Sequence, residues 1–208
     1  MLLEGESQAY SHLAGRTDLR NLLLRSLKPD TVKWDHAVKS TRAIDDSTYE
    51  IACADRDPVT TSILIGADGT FSRVRPLLHG IKPAYSEVSM YDMLIPSSSM
   101  NDSLLAFIGE GCAFIMDDEK MMFPQMNACP NCKVCAGLHV EEGWLDEHLL
   151  PETGKKGWIN GLFDGWDERV RELIMACDEE SVVPRRIYAF DPELRWDSDL
   201  TGVTVIGE

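Results

Sequence analysis

The stretch that decides the fold is Ser62–Arg75, which reads SILIGADGTFSRVR. It begins as an apolar run with β-branched isoleucines, a pattern typical of a buried strand. The run breaks at Gly66–Gly69, a turn with two glycines and one carboxylate, and a polar cluster then precedes a short helix. Glycine lets a backbone approach a bulky ligand closely, and Asp68 is able to accept a hydrogen bond from a hydroxyl. Taken alone, the stretch fits a ligand-binding edge and an ordinary strand-to-helix turn equally well.

The composition is that of an acidic globular protein. The chain has 208 residues, of which 44% are hydrophobic, so we expect one or two domains with a substantial core. The formal net charge is −15, and residues 1–80 carry 10 Lys/Arg and 11 Asp/Glu whereas residues 81–208 carry 10 and 24. Nucleic acids and anionic membrane surfaces require clustered Lys and Arg, so neither is a predicted partner.

The sequence also predicts where the protein works. It contains no apolar run of about 18 residues, so no membrane span is predicted. The first six residues, MLLEGE, lack the basic and apolar regions of a signal peptide. Six cysteines without a secretion signal indicate reduced thiols. We therefore expect a cytoplasmic or organellar-matrix protein.

Periodicity predicts an α+β (mixed α/β) fold in which an antiparallel sheet with helices follows a first, mixed part. The predicted helices are Thr17–Leu27, Glu141–Leu149 and Trp166–Cys177. The predicted strands before Pro83 are Thr31–Val38, Ser47–Cys53 and Thr60–Ile65. After it come Val88–Ile95, Leu104–Ile108, Ala113–Met116, Lys120–Gln125, Lys133–Val140, Val182–Tyr188 and Val203–Ile206. Five methionines in or beside these strands are interpreted as core filler: Met90, Met93, Met116, Met121 and Met122.

A cysteine cluster is the one candidate metal site. Cys129, Cys132 and Cys135 are followed by His139, a C-x2-C-x2-C-x3-H spacing that offers four zinc ligands. However, Lys133–Val140 is predicted to be a strand, on which residues three apart face opposite sides and lie about 10 Å apart. Cys132 and Cys135 then cannot share one metal ion, so no metal site is predicted.

Other catalytic patterns are missing from the sequence. No Gly-x-Ser-x-Gly elbow marks a nucleophilic serine, which leaves hydrolase chemistry unsupported. There is also no P-loop and no Gly-x-Gly-x-x-Gly, the motif expected near the start of a chain that binds a dinucleotide unaided. No catalytic residue is assigned.

Three segments together resemble the FAD-dependent aromatic hydroxylases, the single-component flavin monooxygenases. Gly66–Arg75 resembles the second flavin fingerprint of that family, Arg16–Arg20 the segment before it, and Val203–Glu208 the strand that leads into the third fingerprint, Gly-Asp-Ala-Ala-His. Their order and spacing match those of the family. Ser26–Asp35 and Trp166–Arg169 are most similar to the tetracycline-inactivating branch. The resemblance extends over essentially the whole chain.

The resemblance implies cofactor-binding roles for four residues of the glycine turn. Asp68 matches the aspartate that links the pyrophosphate–ribityl region of the flavin to the path of NADPH. Gly66 and Gly69 shape the turn. Arg75 matches an arginine that supports it.

The resemblance also implies two further FAD contacts and a division into domains. Arg16 matches an arginine that contacts FAD, and Glu208 stands where the family has the aspartate that binds the ribityl chain. Residues 1–82 are then part of the FAD-binding domain and residues 83–190 the substrate-binding domain. Residues 191–208 return to the FAD-binding domain.

The activity that the resemblance implies is monooxygenation. NADPH reduces the FAD, and one oxygen atom of O2 enters a small aromatic or polycyclic substrate. The family also has an initial Gly-x-Gly-x-x-Gly unit and a Gly-Asp loop with a following helix. Because neither is present, we expect a fragment, truncated at both ends, with little or no activity of its own. The alternatives are a non-catalytic remnant that binds small molecules or a protein and, last, a zinc-stabilised binding domain.

Overall fold

A computed structural model describes residues 16–109, 111–117, 119–126, 131–196 and 199–207. The helices are α1 (Arg16–Ser26), α2 (Asp102–Ile108), α3 (Trp144–Glu147), α4 (Lys155–Leu162) and α5 (Glu168–Ala176). The first strands are β1 (Val38–Asp45), β2 (Thr48–Cys53), β3 (Val59–Thr61), β4 (Leu64–Gly66) and β5 (Ala84–Ile95). The remaining strands are β6 (Ile115–Asp117), β7 (Lys120–Met126), β8 (Cys132–His139), β9 (Val183–Ala189) and β10 (Val203–Val205).

The chain divides into two compact units. The described residues within 1–26 and 87–187 form the first, here called the helix-backed unit, and those within 27–86 and 188–208 form the second, the turn unit. One boundary follows the last residue of α1, and the other two fall inside β5 and β9. The structure thus has helices together with antiparallel and parallel strand pairs, which confirms the predicted α+β class.

The turn unit contains two small sheets. β1, β2 and β3 form an antiparallel sheet in that order, and β10 pairs with β4 in parallel. Its core cluster of buried residues is formed by Tyr49, Leu64 and Val74. The Tyr49 hydroxyl donates a hydrogen bond to the carbonyl oxygen of Thr201, which joins β2 to the residues just before β10.

The helix-backed unit is built on one five-stranded sheet of order β6-β7-β8-β5-β9. Side chains alternate between its two faces because successive residues of a strand point in opposite directions. In β5, the residues with odd numbers from Ser89 to Ile95 are buried and those between them are only partly buried. The buried face packs against α2, α4 and α5 through residues such as Leu104, Phe163 and Leu173.

Local capping explains where the helices of this unit begin. The Asn101 side chain accepts a hydrogen bond from the backbone N–H of Leu104, so it caps α2. The Asp167 side chain accepts from the backbone N–H of Arg169 and caps α5, as its Trp-Asp-Glu-Arg sequence allows. The predicted helix Trp166–Cys177 is therefore confirmed, one to two residues shorter at each end.

Several predicted elements are wrong or differ in extent. Thr31–Val38 is not a strand before Val38, because Asp30 and Asp35 adopt positive φ angles of 63° and 58° and turn the chain. Leu104–Ile108 lies in helix α2 rather than in the sheet, since short apolar runs do not distinguish helix from strand. Thr60–Ile65 is divided between β3 and β4. Helix α4 is not predicted.

Candidate functional site

The glycine turn of the turn unit is closed by its own carboxylate. Oδ2 of Asp68 accepts a hydrogen bond from the backbone N–H of Arg73 at 2.7 Å. The N–H of Ser72 donates to the carbonyl of Gly69 at 3.0 Å, and Gly69 has a φ of 84°, a conformation that favours glycine. The sequence Gly66–Arg73 thus folds into a compact loop immediately after β4.

Gly66 is required by close packing at the end of β4. A Cβ atom at this position would lie 2.7 Å from Cβ of Val74 and 3.0 Å from Cγ1 of Val205. Ser72, which is buried, accepts hydrogen bonds at its Oγ from the N–H groups of Val74 and Arg75 at 3.0 and 3.1 Å. These contacts start the short 3₁₀ turn Arg75–Leu77 directly beside the loop.

The electrostatics of the turn favour an ionised Asp68. Partial burial by itself raises the pKa of Asp68, but hydrogen bonds from Ser72 and Arg73 and the charge of Arg75 outweigh it, so the pKa is lowered. The guanidinium carbon of Arg75 lies 4.3 Å from the centroid of the Phe190 ring. Among the described residues, the buried Nε of Arg75 has no hydrogen-bond partner.

A cleft of about 530 Å³ lies against this turn. Its lining is apolar along the sheet and polar at the loop, where it meets Asp68 and Arg73. The other lining residues are Val38, Thr41, Ile51, Leu64, Ile65, Gly66, Ala67, Phe71 and Val74. The arrangement offers a carboxylate and a close glycine backbone at the edge of an apolar space, which suits a ligand with hydroxyls and a ring system.

A second candidate surface is the face of the five-stranded sheet that points away from the helices, here called the open face. Cross-strand pairs fix its rows: Met121 pairs with Gly137, which pairs with Met90, and Phe123 pairs with Cys135, which pairs with Asp92. A cavity of about 390 Å³ at one end of the face is lined by the residues Val88, Met116, Asp117, Glu119, Lys120, Met121, Gly137, Leu138 and His139. The open face thus combines methionine and aromatic side chains with charged residues, and at the cavity end His139 pairs with Glu87 and Glu119.

A separate group of charged side chains lies around Asp92. Its Oδ2 accepts from Nε of Arg185 at 2.6 Å and lies 3.2 Å from Nζ of Lys133, and Oδ1 accepts from Sγ of Cys135 at 3.1 Å. Burial alone raises the pKa of Asp92, but these donors and charges lower it. Burial, followed by the Asp92 carboxylate, raises the pKa of Cys135 to about 11. The thiol is therefore a neutral donor at pH 7.

The structure brings together only some of the sequence-predicted site residues. Gly66, Asp68, Gly69 and Arg75 all lie in or next to the glycine turn. Arg16 is the first residue of α1, is exposed, and belongs to the helix-backed unit. Glu208 lies outside the described residues.

The cysteine cluster behaves as the strand geometry predicts. Cys132 pairs with Ile95 and is buried in the core, whereas Cys135 contacts Asp92 on the opposite face. Cys129 lies outside the described residues, and within those residues no group of three or more His, Cys, Asp or Glu is arranged to hold a metal ion.

Among the described residues, no helix has the length and apolar content needed to span a bilayer.

The methionines and the Asp92 contacts show what sequence patterns miss. Met93 and Met122 are core residues as predicted, but Met116 is 73% exposed, so its assignment to the core is wrong. Asp92, Lys133 and Arg185 are far apart in sequence, and only strand pairing brings them together. No local motif signals such a cluster.

The sequence relatives include an epoxidase and a monooxygenase. The chain is 29% identical over 204 residues to the chloroplastic zeaxanthin epoxidase of Oryza sativa subsp. japonica, a match that covers 95% of this chain and 28% of that protein. It is 29% identical over 184 residues to monooxygenase penA of Penicillium thymicola, which covers 79% of this chain and 43% of penA. This chain thus spans less than half the length of these two relatives. No protein-family model matches it.

Solved structures show the same fold. Klebsiella pneumoniae HpxO, complexed with FAD and uric acid, superposes with a TM-score of 0.71 at 20% identity, covering 92% of this chain and 47% of HpxO. The tetracycline destructase Tet(55) gives a TM-score of 0.57 at 14% identity, covering 92% of this chain and 49% of that structure. The resemblance to FAD-dependent monooxygenases is therefore confirmed. The preference for the tetracycline-inactivating branch stays a prediction.

Proposed function

We propose that this chain supplies flavin-binding and substrate-binding parts of an FAD-dependent monooxygenase. In this proposal the enzyme uses NADPH and O2 to insert one oxygen atom into a small aromatic or polycyclic substrate. The observation that carries it is the glycine turn, with an ionised Asp68 held at the edge of a cleft in the turn unit. The monooxygenase relatives support the same reading, as does the structural likeness to FAD enzymes.

The residues of the turn fit a flavin nucleotide. A hydroxyl-bearing chain can approach the backbone closely at Gly69, which lacks a Cβ and faces open space, whereas Gly66 packs against Val74 and Val205 and shapes the turn. Asp68 accepts hydrogen bonds from ribityl or ribose hydroxyls while its Oδ2 keeps the turn closed. Arg75 stabilises the Asp68 carboxylate. Bound FAD supplies the hydride and oxygen chemistry, whereas the residues of this chain bind and orient it.

The domain division and the remaining contacts belong to the same proposal. Residues 1–82 and 191–208 contribute to FAD binding, through Arg16 and Glu208 among others. Residues 83–190 receive the substrate on the open face, where methionine and aromatic side chains exclude water from the reacting ring. The location proposed for the protein is the cytoplasm.

FAD binding by the 208-residue chain tests the proposal directly. Titration of FAD, followed by quenching of its fluorescence, should show weak but saturable binding, because the sequence has no Gly-x-Gly-x-x-Gly unit to hold the ADP half of the cofactor. Asp68→Ala should weaken that binding about tenfold, because it removes a charged acceptor for the cofactor hydroxyls. Addition of NADPH to the FAD-loaded chain then reports whether it also oxidises the reductant.

Asp45→Ala is the matched control. Asp45 also closes a turn of the turn unit, by accepting from the N–H of Ser47 at 2.9 Å, but it does not line the cleft. Its replacement should leave FAD affinity unchanged. Absence of FAD binding, or equal loss in both variants, would contradict flavin binding at this turn and favour the alternative of a non-catalytic binding module.

A further inference from the structure

Two glutamates of the helix-backed unit have an unusual backbone conformation. Among the described residues, five that are not glycine have a positive φ angle, and three of these are aspartates, a residue type that is enriched there. The other two are Glu87 in β5 and Glu119 in the turn between β6 and β7, each with a φ of 61°. Longer side chains are strained in this conformation, so such residues persist only where neighbouring contacts hold them, often at functional positions.

Both glutamates are held by the end of β8. The carbonyl oxygen of Glu119 accepts a hydrogen bond from the backbone N–H of His139 at 2.7 Å, and that of Glu87 accepts from the N–H of Val140 at 2.9 Å. In the sheet, β8 lies between β7 and β5, so these two bonds attach its end to both neighbours. Two strained residues from opposite sides of β8 therefore meet at one point.

The imidazole of His139 lies between the carboxylates of the same two glutamates. Its Nε2 is 3.2 Å from Oε2 of Glu87, and its Nδ1 is 4.0 Å from Oε1 of Glu119. A neutral imidazole carries one N–H, so it donates to one carboxylate and turns a lone pair toward the other. An imidazolium carries two N–H groups and attracts both. The number of glutamates that the ring holds therefore depends on its protonation.

Other charged side chains near this point leave the ring to the two glutamates. Asp117 and Lys120 line the adjoining cavity together with Glu119 and His139. Nζ of Lys120 donates to the carbonyl oxygen of Leu162 at 2.7 Å. In the part of the chain that the structure describes, the ion pairs of His139 involve the two glutamates and neither Asp117 nor Lys120. Histidine is also the side chain whose charge ordinarily changes between pH 5 and 8.

We propose that His139 is a proton-controlled clamp at this end of the sheet. In its protonated state the ring holds Glu87 and Glu119 at once, so β5 and the β6–β7 turn stay attached to β8. In its neutral state the ring holds only Glu87, its closer partner, and the strained turn at Glu119 opens more often. The stabilisation is thus present at low pH and is lost as the pH rises through the titration of the histidine.

The clamp has a consequence for the cavity of about 390 Å³ on the open face. Glu119 and His139 both line this cavity. Opening of the turn at Glu119 therefore makes the cavity more accessible above the pH at which His139 loses its proton. The clamp depends only on groups of the helix-backed unit, so it operates whether or not the chain binds FAD.

Hydrogen exchange of the 208-residue chain at low ionic strength tests the clamp. After correction for the intrinsic effect of pH, the His139 amide should exchange about threefold faster at about pH 8 than at about pH 5.5, the size expected for exposed ion pairs. The side chains of His139, Glu87 and Glu119 are 50%, 75% and 76% exposed. Added salt should therefore reduce the difference.

Two variants and one control assign the pH dependence to the ring. In His139→Gln the difference between the two pH values should vanish, because an amide does not titrate. Glu119→Gln should remove most of it, because the second anion is gone. His148→Gln is the matched control: His148 is an exposed histidine of the same unit, and its Nδ1 lies 3.0 Å from the carbonyl oxygen of Trp144 rather than beside a carboxylate. This variant should keep the full pH dependence at His139.

Equal corrected exchange of the His139 amide at both pH values would overturn the proposal. So would a pH dependence that survives in both His139→Gln and Glu119→Gln, because another group would then cause it. Acceleration of the same size in every strand of the sheet would also contradict a local clamp. If His139→Gln does not fold, as circular dichroism would show, the exchange of Glu119→Gln decides between these outcomes.

Discussion

The two units of the chain bury their apolar side chains to very different degrees. Among the described residues, the core cluster of the helix-backed unit has 18 buried members, whereas that of the turn unit has three. The turn unit leaves several large apolar residues exposed, among them Ile63 at 69% and Ile65 at 54%. One unit is thus held by a continuous core, and the other by backbone pairing and a few specific contacts.

This difference has a consequence for where function resides. Burial of apolar area is the dominant source of stability, so the helix-backed unit provides a rigid surface on its open face. In the turn unit, Asp68 and Gly66 hold the glycine turn in place through a hydrogen bond and close contacts, and Tyr49 holds the segment before β10 through one hydrogen bond. Such loops are sensitive to single substitutions that a large core would tolerate.

The largest expected effect is therefore in the core of the helix-backed unit. Phe163 is fully buried and its ring meets that of Trp166 edge-on, with centroids 5.1 Å apart. Phe163→Ala should lower the free energy of unfolding by about 3–5 kcal/mol, because it removes buried area and leaves a cavity. Urea denaturation followed by tryptophan fluorescence measures the change.

Leu149→Ala is the control for this substitution, since Leu149 is 74% exposed. It should change the free energy of unfolding by less than about 0.5 kcal/mol. A similar loss in both variants would show that the core does not govern the stability of this unit, and the contrast between the two units would disappear.

How well the sequence predicted each region follows from the same contrast. Two elements were predicted well because one complete face of each is buried. They are the strand in Val88–Ile95, which shows an alternating pattern, and the helix in Trp166–Cys177, which has an apolar stripe. Ile63 and Ile65 were expected to be buried in a strand, but both are exposed. The residue type alone does not show whether another part of the protein packs against a side chain. The strand predicted over Thr31–Val38 is wrong because Asp30 and Asp35 adopt positive φ angles that turn the chain. The alternation of polar and apolar residues in this segment gives no sign of those turns.

The two candidate sites also differ in how well the sequence predicts them. The glycine turn is local in sequence, so Gly66, Asp68, Gly69 and Arg75 were found from a contiguous motif, although their cofactor contacts stay a prediction. The cluster at Asp92 joins residues from three strands and depends on register, which is set by pairing between distant segments. No spacing along the chain encodes it.

The next largest loss of stability is expected in the turn unit, on removal of the Tyr49 hydroxyl. Tyr49→Phe removes the hydrogen bond to the Thr201 carbonyl, so this partly buried contact is lost and the acceptor has one partner fewer. We expect a local stability loss of about 1–2 kcal/mol. Hydrogen exchange should show faster exchange of amides in β10, with no change in β5 or β8. Uniform acceleration in both units would contradict this local role.

Asp68 should make the turn sensitive to acid. Its pKa is lowered in the folded state, so its stabilising effect is present above its unfolded pKa of about 4 and is lost as the pH falls through the lower folded value. Exchange of the Arg73 amide, which donates to Asp68, should therefore accelerate below about pH 4 beyond the intrinsic pH effect. In Asp68→Asn this extra acceleration should vanish, because the amide does not titrate.

The smallest effect is expected at Ile65, the exposed residue in the middle of strand β4. Ile65 is half exposed, so Ile65→Thr removes little buried area and keeps a β-branched side chain suited to a strand. The free energy of unfolding should change by less than about 0.5 kcal/mol. Leu64→Ala, on the buried neighbour in the same strand, should cost about 2–4 kcal/mol. If Ile65→Thr instead matched Leu64→Ala, the outer side of β4 would be covered in solution, and the turn unit would have a larger core than its three buried residues.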